Sequence, residues 1–258
     1  MSLLAADIGN GTTVLGLVGR DGGTVTATWR VSSDERRTSD EWGVLVRGLL
    51  GSRFDELTGV AVCATVPVVL HEWREMLRSQ LADLPQVVVE PGTRTGLAVL
   101  MDNPREVGAD RICNAVAAST FGAPTVVVDF GTATTFDVVN GKGQYVGGVI
   151  APGIATSLEA LGERGAQLRQ VELLRPRTVI AKNTVEALQS GMVFGFASQV
   201  EGLVSRITAE LGVEPDQTRV VATGHHAPLV VDECGCFTDH EPWLTLRGLA
   251  LVFERNAG

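Results

Sequence analysis

Two short segments of the sequence share an aspartate, a glycine and a pair of threonines at the same spacing. They are Asp7-Ile8-Gly9-Asn10-Gly11-Thr12-Thr13 and Asp129-Phe130-Gly131-Thr132-Ala133-Thr134-Thr135. A glycine-containing turn lets backbone N–H groups point at anionic oxygens, and threonine hydroxyls add donors. An aspartate at the end of a strand can hold a cation, because Mg²⁺ takes few carboxylates and keeps several waters. Two such units could bind a nucleotide phosphate tail from both sides.

The repetition of this segment decides between two interpretations. One copy alone is more simply explained as a hairpin whose aspartate caps a turn. Each copy, however, follows an apolar run and precedes a second strand ending in a glycine and a basic residue, Gly19-Arg20 and Gly141-Lys142. A repeat of this kind indicates a duplicated structural unit. We therefore predict a nucleotide-dependent phosphotransferase.

Asp110 is the candidate general base. Phosphorylation of an alcohol requires the hydroxyl to lose its proton as the phosphorus–oxygen bond forms, and an aspartate within hydrogen-bond reach can accept it. From the sequence alone, the simpler explanation of Asp110 is an N-cap for a helix beginning at Arg111. Arg111 could bind an anionic substrate or the transferred phosphoryl group, or form a surface salt bridge.

The segment from residue 225 to 240 is rich in histidine and cysteine, with His225, His226, Cys234, Cys236 and His240. Zinc takes such ligands, but the spacing matches no standard zinc finger. A loop with incidental histidine and cysteine residues is the favoured interpretation.

The composition limits the classes of partner. The chain has 258 residues, of which 45% are hydrophobic and 20% charged, as in ordinary globular enzymes. Its net charge of −9 and lack of basic runs argue against nucleic acid or an anionic membrane as a partner. No segment approaches the ~18 apolar residues of a membrane span, and the N-terminus lacks the features of a signal peptide. The dispersed cysteines favour reduced thiols and a cytoplasmic location.

The elements that position these residues follow from apolar patterns and turn residues. Strands followed by helices, twice over, predict two α/β halves. Ser39 or Asp40 is expected to cap a first helix, and a turn is expected at residues 20–23. Strands are predicted at 3–7, 12–18, 24–31, 59–66, 86–90, 125–129 and 134–139, in a segment ending near 149, and at 219–223; further helices are predicted at 67–84, 112–121, 184–211 and 244–255.

The paired Asp-x-Gly segments resemble the phosphate-1 and phosphate-2 loops of the acetate/sugar kinase–Hsc70–actin superfamily. Together with Gly108-Ala109-Asp110-Arg111, Ala181-Lys182-Asn183-Thr184-Val185-Glu186-Ala187-Leu188-Gln189-Ser190-Gly191 and Leu244-Thr245-Leu246-Arg247-Gly248-Leu249, they resemble type III pantothenate kinases over essentially the whole chain. The resemblance implies an α/β fold of duplicated actin-like ATPase (ribonuclease H-like) domains, with the nucleotide cleft between them. The expected halves are residues 1–118 and 119–258.

The resemblance also implies an activity: ATP-dependent phosphorylation of pantothenate to 4′-phosphopantothenate, the first step of coenzyme A biosynthesis, by a homodimer. Mg²⁺ would accompany ATP, and K⁺ or NH₄⁺ would help to neutralise phosphate charge. Asp7 resembles the Mg²⁺-associated aspartate, Asp129 the monovalent-cation ligand and Asp110 the base. The implied pantothenate contacts are Gly108, Ala109, Asp110, Arg111 and, across the dimer interface, Thr184; the implied ATP contacts are Asp7, Ile8, Gly9, Asn10, Gly11, Thr12, Thr13, Val14 and Thr132.

Thr184 stands where a helix is predicted to begin, and a buried cap is the default expectation there. Asn183 with Glu186 already forms a capping-box-like pair, which leaves the Thr184 hydroxyl available for another contact.

Four positions depart from the family pattern. Gly11 stands in place of Thr or Ser, Met101 in place of Tyr, Gly165-Ala166 in place of Thr-Ala, and His225 in place of the second glycine of Thr-Gly-Gly. Two alternatives therefore stay open. The chain could be a non-catalytic or regulatory relative, or a kinase for another small hydroxylated acceptor, since fold alone does not fix function.

Overall fold

The computed structural model describes residues 2–19, 23–122, 124–164 and 171–257. Most of the predicted turn at 20–23 and the Gly165-Ala166 pair lie outside the described residues. The chain divides into two compact units, Met1–Thr120 with Trp243–Gly258, and Phe121–Pro242. The sequence division had placed the closing helix in the second half, whereas here it lies in the first unit. Among the described helices, none has both the length and the apolar character needed to cross a bilayer.

The predicted helices and strands occur in the predicted order, whereas the elements at Ala98–Val99, Ile154–Arg164, Ala227–Val230 and Asp239–His240 were not predicted. The strands are β1 Ser2–Ile8, β2 Thr12–Gly19, β3 Val25–Ser32, β4 Leu57–Ala64, β5 Gln86–Val88, β6 Ala98–Val99, β7 Thr125–Phe130, β8 Ala133–Val139, β9 Gln144–Pro152, β10 Arg219–Thr223 and β11 Asp239–His240. The helices are α1 Ser39–Leu50, α2 Pro67–Gln80, α3 Ala109–Ala118, α4 Ile154–Arg164, α5 Thr184–Leu211, α6 Ala227–Val230 and α7 Leu244–Asn256, with short 3₁₀ segments at Gly51–Glu56, Pro104–Glu106, Ser119–Phe121, Pro215–Gln217 and Val231–Glu233.

The two units contain sheets of the same topology. In the first, the strand order is β3-β2-β1-β4-β5, with antiparallel pairing of β1 to β2 and β2 to β3 and parallel pairing of β1 to β4 and β4 to β5. In the second, β9-β8-β7-β10-β11 repeats that order and those directions. The repeat seen in the sequence is therefore a repeat of the sheet, and β1 and β7 are equivalent strands.

The first sheet is covered on both faces. Leu4, Ala6 and Ile8 of β1 pack into one apolar cluster with Trp42 of α1 and Trp73 of α2. The alternate residues of β1 point to the other face and join a second cluster with α3 and α7, because successive side chains along a strand point to opposite faces. That second cluster includes Leu3, Ala5, Cys63, Cys113, Val116 and Leu249.

In the second unit one face of β7 packs on the longest helix. Val126, Val128 and Phe130 form a cluster with Phe196 and Val200 of α5. Helix α5 has the predicted bounds because both of its ends are marked in the sequence: the Asn183 side chain accepts from the Glu186 N–H, and Gly212 takes a left-handed φ of 67°.

Other boundaries differ from the expectation. Thr38, rather than Ser39 or Asp40, is the N-cap of α1 and forms a capping box with Glu41. Helix α4, which follows β9 directly at Gly153, was not predicted.

Helix α7 approaches α3 closely at Gly248. A Cβ atom at Gly248 would overlap the backbone of Cys113, including its carbonyl oxygen. Glycine at this position is therefore required for the packing of α7 against α3.

We expect Gly248→Ala to lower the free energy of unfolding by about 1–3 kcal/mol, because a methyl group there must push two helix backbones apart. Denaturant unfolding measures the change. Gly202→Ala in α5 is the matched control, since no atom of the described part of the chain lies within 4 Å of a Cβ at that position, and alanine there should stabilise the helix by up to ~1 kcal/mol. Equal stability of Gly248→Ala and the unsubstituted chain would contradict this packing.

Candidate active site

Asp7 lies at the carboxyl end of β1, where the strand turns into the glycine segment. It stands opposite Cys63 in the parallel ladder with β4 and opposite Val14 in the antiparallel ladder with β2. The Gly9 N–H donates to the Thr12 carbonyl oxygen over 3.1 Å and closes the turn. A Cβ at Gly9 would lie 3.0 Å from that oxygen, so the turn is tight at this residue.

The second copy of the motif has a tighter turn. In the first hairpin Ile8 pairs with Thr13, whereas in the second Phe130 pairs with Thr134, so the second turn is one residue shorter. A shift of one residue moves a side chain to the other face of a strand. Thr13 and Thr134 are consequently both fully buried, although they are not equivalent in the sequence alignment.

This register difference corrects one expectation. All four threonine hydroxyls were expected to be available as donors to phosphate. The Thr13 hydroxyl is instead hydrogen-bonded to the Ser33 hydroxyl at 2.8 Å, and the Thr134 hydroxyl is buried. Thr12 is exposed and Thr135 partly exposed, so the side chains that solvent reaches come from different positions in the two copies.

Asp129 lies at the end of β7, and the segment after β10 runs close beside it. Gly224 has a φ of 91°, and a Cβ there would overlap Asp129 Oδ1 and the Phe130 backbone. The His226 N–H donates to the Phe130 carbonyl oxygen over 3.2 Å. Only glycine fits at residue 224, both for its φ and for the space.

His225 does not fill that space. Its side chain is exposed, and its ring lies beside that of His226 with 4.8 Å between the centroids. The close packing at the end of β7 therefore requires glycine at residue 224 and not at residue 225.

Thr132 is held by the start of α4. Its carbonyl oxygen accepts from the Gly153 N–H over 3.1 Å and from the Thr156 hydroxyl over 2.8 Å. A Cβ at Gly153 would overlap this carbonyl oxygen. The Thr132 side chain stays exposed, so the backbone is fixed while the hydroxyl remains accessible.

Asp110 lies in the first turn of α3 and is not the N-cap. The helix begins at Ala109, two residues before the start at Arg111 that the N-cap interpretation assumed, and Gly108 occupies the N-cap position. Asp110 Oδ1 is buried and has no hydrogen-bond partner among the described residues. A Cβ at Gly108 would overlap that oxygen. Because Gly108 has no side chain, the Asp110 carboxylate fits beside it.

Two opposing effects set the pKa of Asp110. Burial raises the pKa above that of an ordinary aspartate, and the Arg111 backbone N–H and guanidinium partly offset the rise. The helix N-terminus also favours a negative charge at this position. The net result is a carboxyl group of raised pKa whose anion is still stabilised, which suits a general base.

In the first unit, Cys63 lies near both Asp7 and Asp110. Its Sγ donates to Asp7 Oδ1 over 3.4 Å. Contact with Cys113, burial and the nearby carboxylates of Asp7 and Asp110 raise the pKa of the Cys63 thiol. No motif in the sequence marks this residue; the register of β1 against β4 places it opposite Asp7.

Thr184 is the first residue of α5 and is exposed. The expected pair of Asn183 and Glu186 is half formed. Asn183 Oδ1 accepts from the Glu186 N–H over 2.9 Å, but the Glu186 carboxylate pairs with Arg177 over 2.6 Å.

The donor set around Asp7 fits a magnesium ion that arrives with a nucleotide. Such an ion needs one or two carboxylates, with waters and phosphate oxygens completing an octahedron. Partly exposed Asp7 beside a glycine turn meets that requirement. Within the described parts of the chain, no group of three or more His, Cys, Asp or Glu side chains is placed to hold a metal ion, and this includes the described segment 225–240.

Comparison of the sequence with those of known proteins identifies the family of this chain. The sequence profile described as type III pantothenate kinase matches residues 3–206. The chain belongs to the type III pantothenate kinase family. A type III pantothenate kinase from Nocardioides sp. is 69% identical over 259 residues, covering 100% of both chains. One from Streptomyces griseus is 58% identical over 262 residues, covering 98% of each.

Solved structures of low identity share the fold. A ROK family protein from Streptococcus pneumoniae, in complex with sucrose, superposes with a TM-score of 0.55 at 13% identity, covering 100% of this chain and 99% of that one. The activator of 2-hydroxyisocaproyl-CoA dehydratase from Clostridium difficile, with bound ADPNP, gives 0.50 at 14% identity over 99% and 95%. The likeness confirms the predicted duplicated actin-like α/β fold.

We expect Gly224→Ala to destabilise the second unit by about 1–3 kcal/mol, because alanine is strained at positive φ and its methyl group would displace the Asp129 carboxylate. Gly235→Ala is the control, since the nearest atom to a Cβ there is 3.8 Å away. Both are compared by denaturant unfolding. A Gly224→Ala protein no less stable than Gly235→Ala would show that the loop does not pack against Asp129 as described.

Proposed function

We propose that this family member transfers the γ-phosphoryl group of ATP to the primary hydroxyl of pantothenate, with Asp110 as the general base. Membership of the family gives the reaction, phosphorylation of pantothenate in coenzyme A biosynthesis, and implies ATP with a divalent metal. The buried Oδ1 of Asp110 is the observation that supports the assignment of the base.

Asp110 has the properties that the proton transfer requires. Oδ1 is buried without a hydrogen-bond donor among the described residues, while the residue as a whole is partly exposed, so we propose that an incoming hydroxyl donates to the exposed part of the carboxylate. As the oxygen attacks phosphorus, its proton passes to that carboxylate. Arg111 has its charge close to Asp110 and, we propose, binds the anionic acceptor, while Gly108 and Ala109 complete the contact.

The residues from Asp7 to Val14 are proposed to bind the ATP phosphates, mainly through the backbone. Exposed Asn10, Gly11 and Thr12 form the tip of the turn, whereas Thr13 faces the interior. Asp7 would hold Mg²⁺, which when bound supplies positive charge to the phosphate oxygens.

Asp129 is proposed as the ligand of a monovalent cation, K⁺ or NH₄⁺. It is partly exposed at the end of β7, and because residue 224 is glycine, no Cβ at that position overlaps its carboxylate. The exposed side chain of Thr132 in the adjacent turn is proposed to contact the nucleotide.

A homodimer is proposed from the surface beside Thr184. Val179, Ile180 and Val185 are exposed at 66%, 85% and 50% of their surface. Large apolar side chains grouped in this way often mark an interface. Thr184 lies within this group, so a second subunit on this surface would place its hydroxyl near the contact.

The features that suggested a non-catalytic relative do not obstruct the site within either unit. Among the described residues, no atom lies within 4 Å of a Cβ at Gly11, so this glycine leaves an open tip, and His225 is exposed. Both departures are therefore compatible with phosphoryl transfer.

The decisive experiment is ATP turnover with and without pantothenate, in K⁺ and then in Na⁺. We expect turnover that depends on pantothenate and is faster in K⁺. Asp110→Asn should lower kcat by about 10²–10⁴-fold, the usual contribution of a general base. Its melting temperature, measured in parallel, should not fall, because the amide removes a costly buried charge. No pantothenate-dependent turnover in K⁺ would refute the function, and near-normal kcat in Asp110→Asn would refute only the base.

The raised pKa of Asp110 predicts the acid limb of the pH profile. The base works only when deprotonated, so kcat/KM should fall as the pH drops through the pKa of Asp110. Because burial raises that pKa, the fall should begin at a higher pH than for an ordinary aspartate. A profile flat down to the ordinary range would contradict this environment.

We expect Ile180→Asp to convert the dimer to monomers, since a charge at an apolar interface must be desolvated. Sedimentation velocity measures the change. Val44→Asp is the control, because Val44 is also exposed, at 74%, but lies on α1 of the first unit. A monomeric parent protein, or an Ile180→Asp protein that stays dimeric, would rule out this interface.

A further inference from the structure

Cys63 is a buried thiol placed against the aspartate that is proposed to hold Mg²⁺. It is fully buried in β4 and stands directly opposite Asp7 in the parallel ladder. Its Sγ donates to Asp7 Oδ1 over 3.4 Å. Neighbours in a parallel ladder have fixed side-chain directions, so this contact is set by the sheet rather than by a flexible loop.

The surroundings of Cys63 restrict where its proton can go. On the α3 side the thiol touches Cys113, which is also fully buried. Cys113 lies one helical turn after Asp110 on α3, and both cysteines belong to the same apolar cluster. A thiol is neutral near pH 7 and is a weak donor. Cys113 and Asp7 are both within its reach, and a carboxylate oxygen is a stronger acceptor than a sulfur atom.

We propose that Cys63 is a positioning residue for the reaction: its thiol orients the Asp7 carboxylate toward the metal–nucleotide complex. A carboxylate at a strand end can rotate about its terminal bond. A donor fixed on one oxygen removes much of that freedom. Partners of a metal-binding carboxylate commonly act in this way. The inference rests on the proposed role of Asp7.

Binding of Mn²⁺ with a non-hydrolysable ATP analogue, followed by calorimetry, tests the proposal without turnover. Cys63→Ala removes the donor and should weaken binding by about five- to tenfold, as for loss of an ordinary hydrogen bond, because the thiol is a weak donor. Cys63→Ser restores a donor and should bind within about twofold of the unsubstituted protein. Cys113→Ala is the matched control, because it removes a buried thiol from the same cluster and leaves the contact with Asp7.

In turnover assays, Cys63→Ala should raise the KM for Mg²⁺·ATP and leave kcat at saturation little changed. Binding by Cys63→Ala equal to that by Cys113→Ala, or by Cys63→Ser as weak as by Cys63→Ala, would overturn the proposal. Absence of pantothenate-dependent turnover in the unsubstituted protein would refute the proposed function instead, and the binding comparison would still decide the role of Cys63.

A second measurement covers the case in which Cys63→Ala does not fold. The S–H infrared stretch of Cys63 can be identified by its loss in Cys63→Ser. It should lie at lower frequency than a thiol without an acceptor, and it should shift when Mg²⁺·ADP is added, as the Asp7 carboxylate engages the metal. A band at the frequency of a thiol without an acceptor, or one that nucleotide leaves unchanged, would overturn the proposal.

Discussion

The first unit depends on the burial of β1 on both faces. Leu4, Ala6 and Ile8 pack against α1 and α2, while Leu3 and Ala5 pack against α3 and α7. A slip of one residue would exchange the two sets of side chains, so the strand has one register. This constraint places Asp7 on the α3 side of the sheet, the side of Cys63 and of the helix that carries Asp110.

The order of the elements could be predicted because their signals are local. Strand β10 and helix α5 have their predicted bounds, the helix because Asn183 and Gly212 mark its two ends. The paired Asp-x-Gly segments also predicted the duplicated sheet, since a strand, a glycine turn and a second strand are contiguous in sequence. The family resemblance then supplied candidate roles for Asp110 and Thr184 that local patterns alone left undecided.

What the sequence could not provide depends on contacts between distant residues. The threonines at matching positions of the two motifs do not have matching surroundings, because the turn of the second hairpin is one residue shorter. An alignment of the two motifs without a gap cannot show this difference. Helix α7 joined the first unit through a close approach of Gly248 to Cys113. The contact between Cys63 and Asp7 follows from ladder register alone. In each case the missing information is the packing of elements far apart along the chain.

The glycines of the site have a common physical role. Gly108 leaves room for Asp110, and Gly224 leaves room for Asp129. A methyl group at either position would overlap a carboxylate oxygen. Close packing of protein atoms limits the directions in which each carboxylate can turn. The chain, of net charge −9, thus carries aspartates at the ends of its central strands and at a helix start. Their repulsion toward phosphate must then be offset by backbone N–H groups, Arg111 and the cations that accompany the nucleotide, which makes the geometry of the turns as important to phosphoryl transfer as the acidic residues themselves.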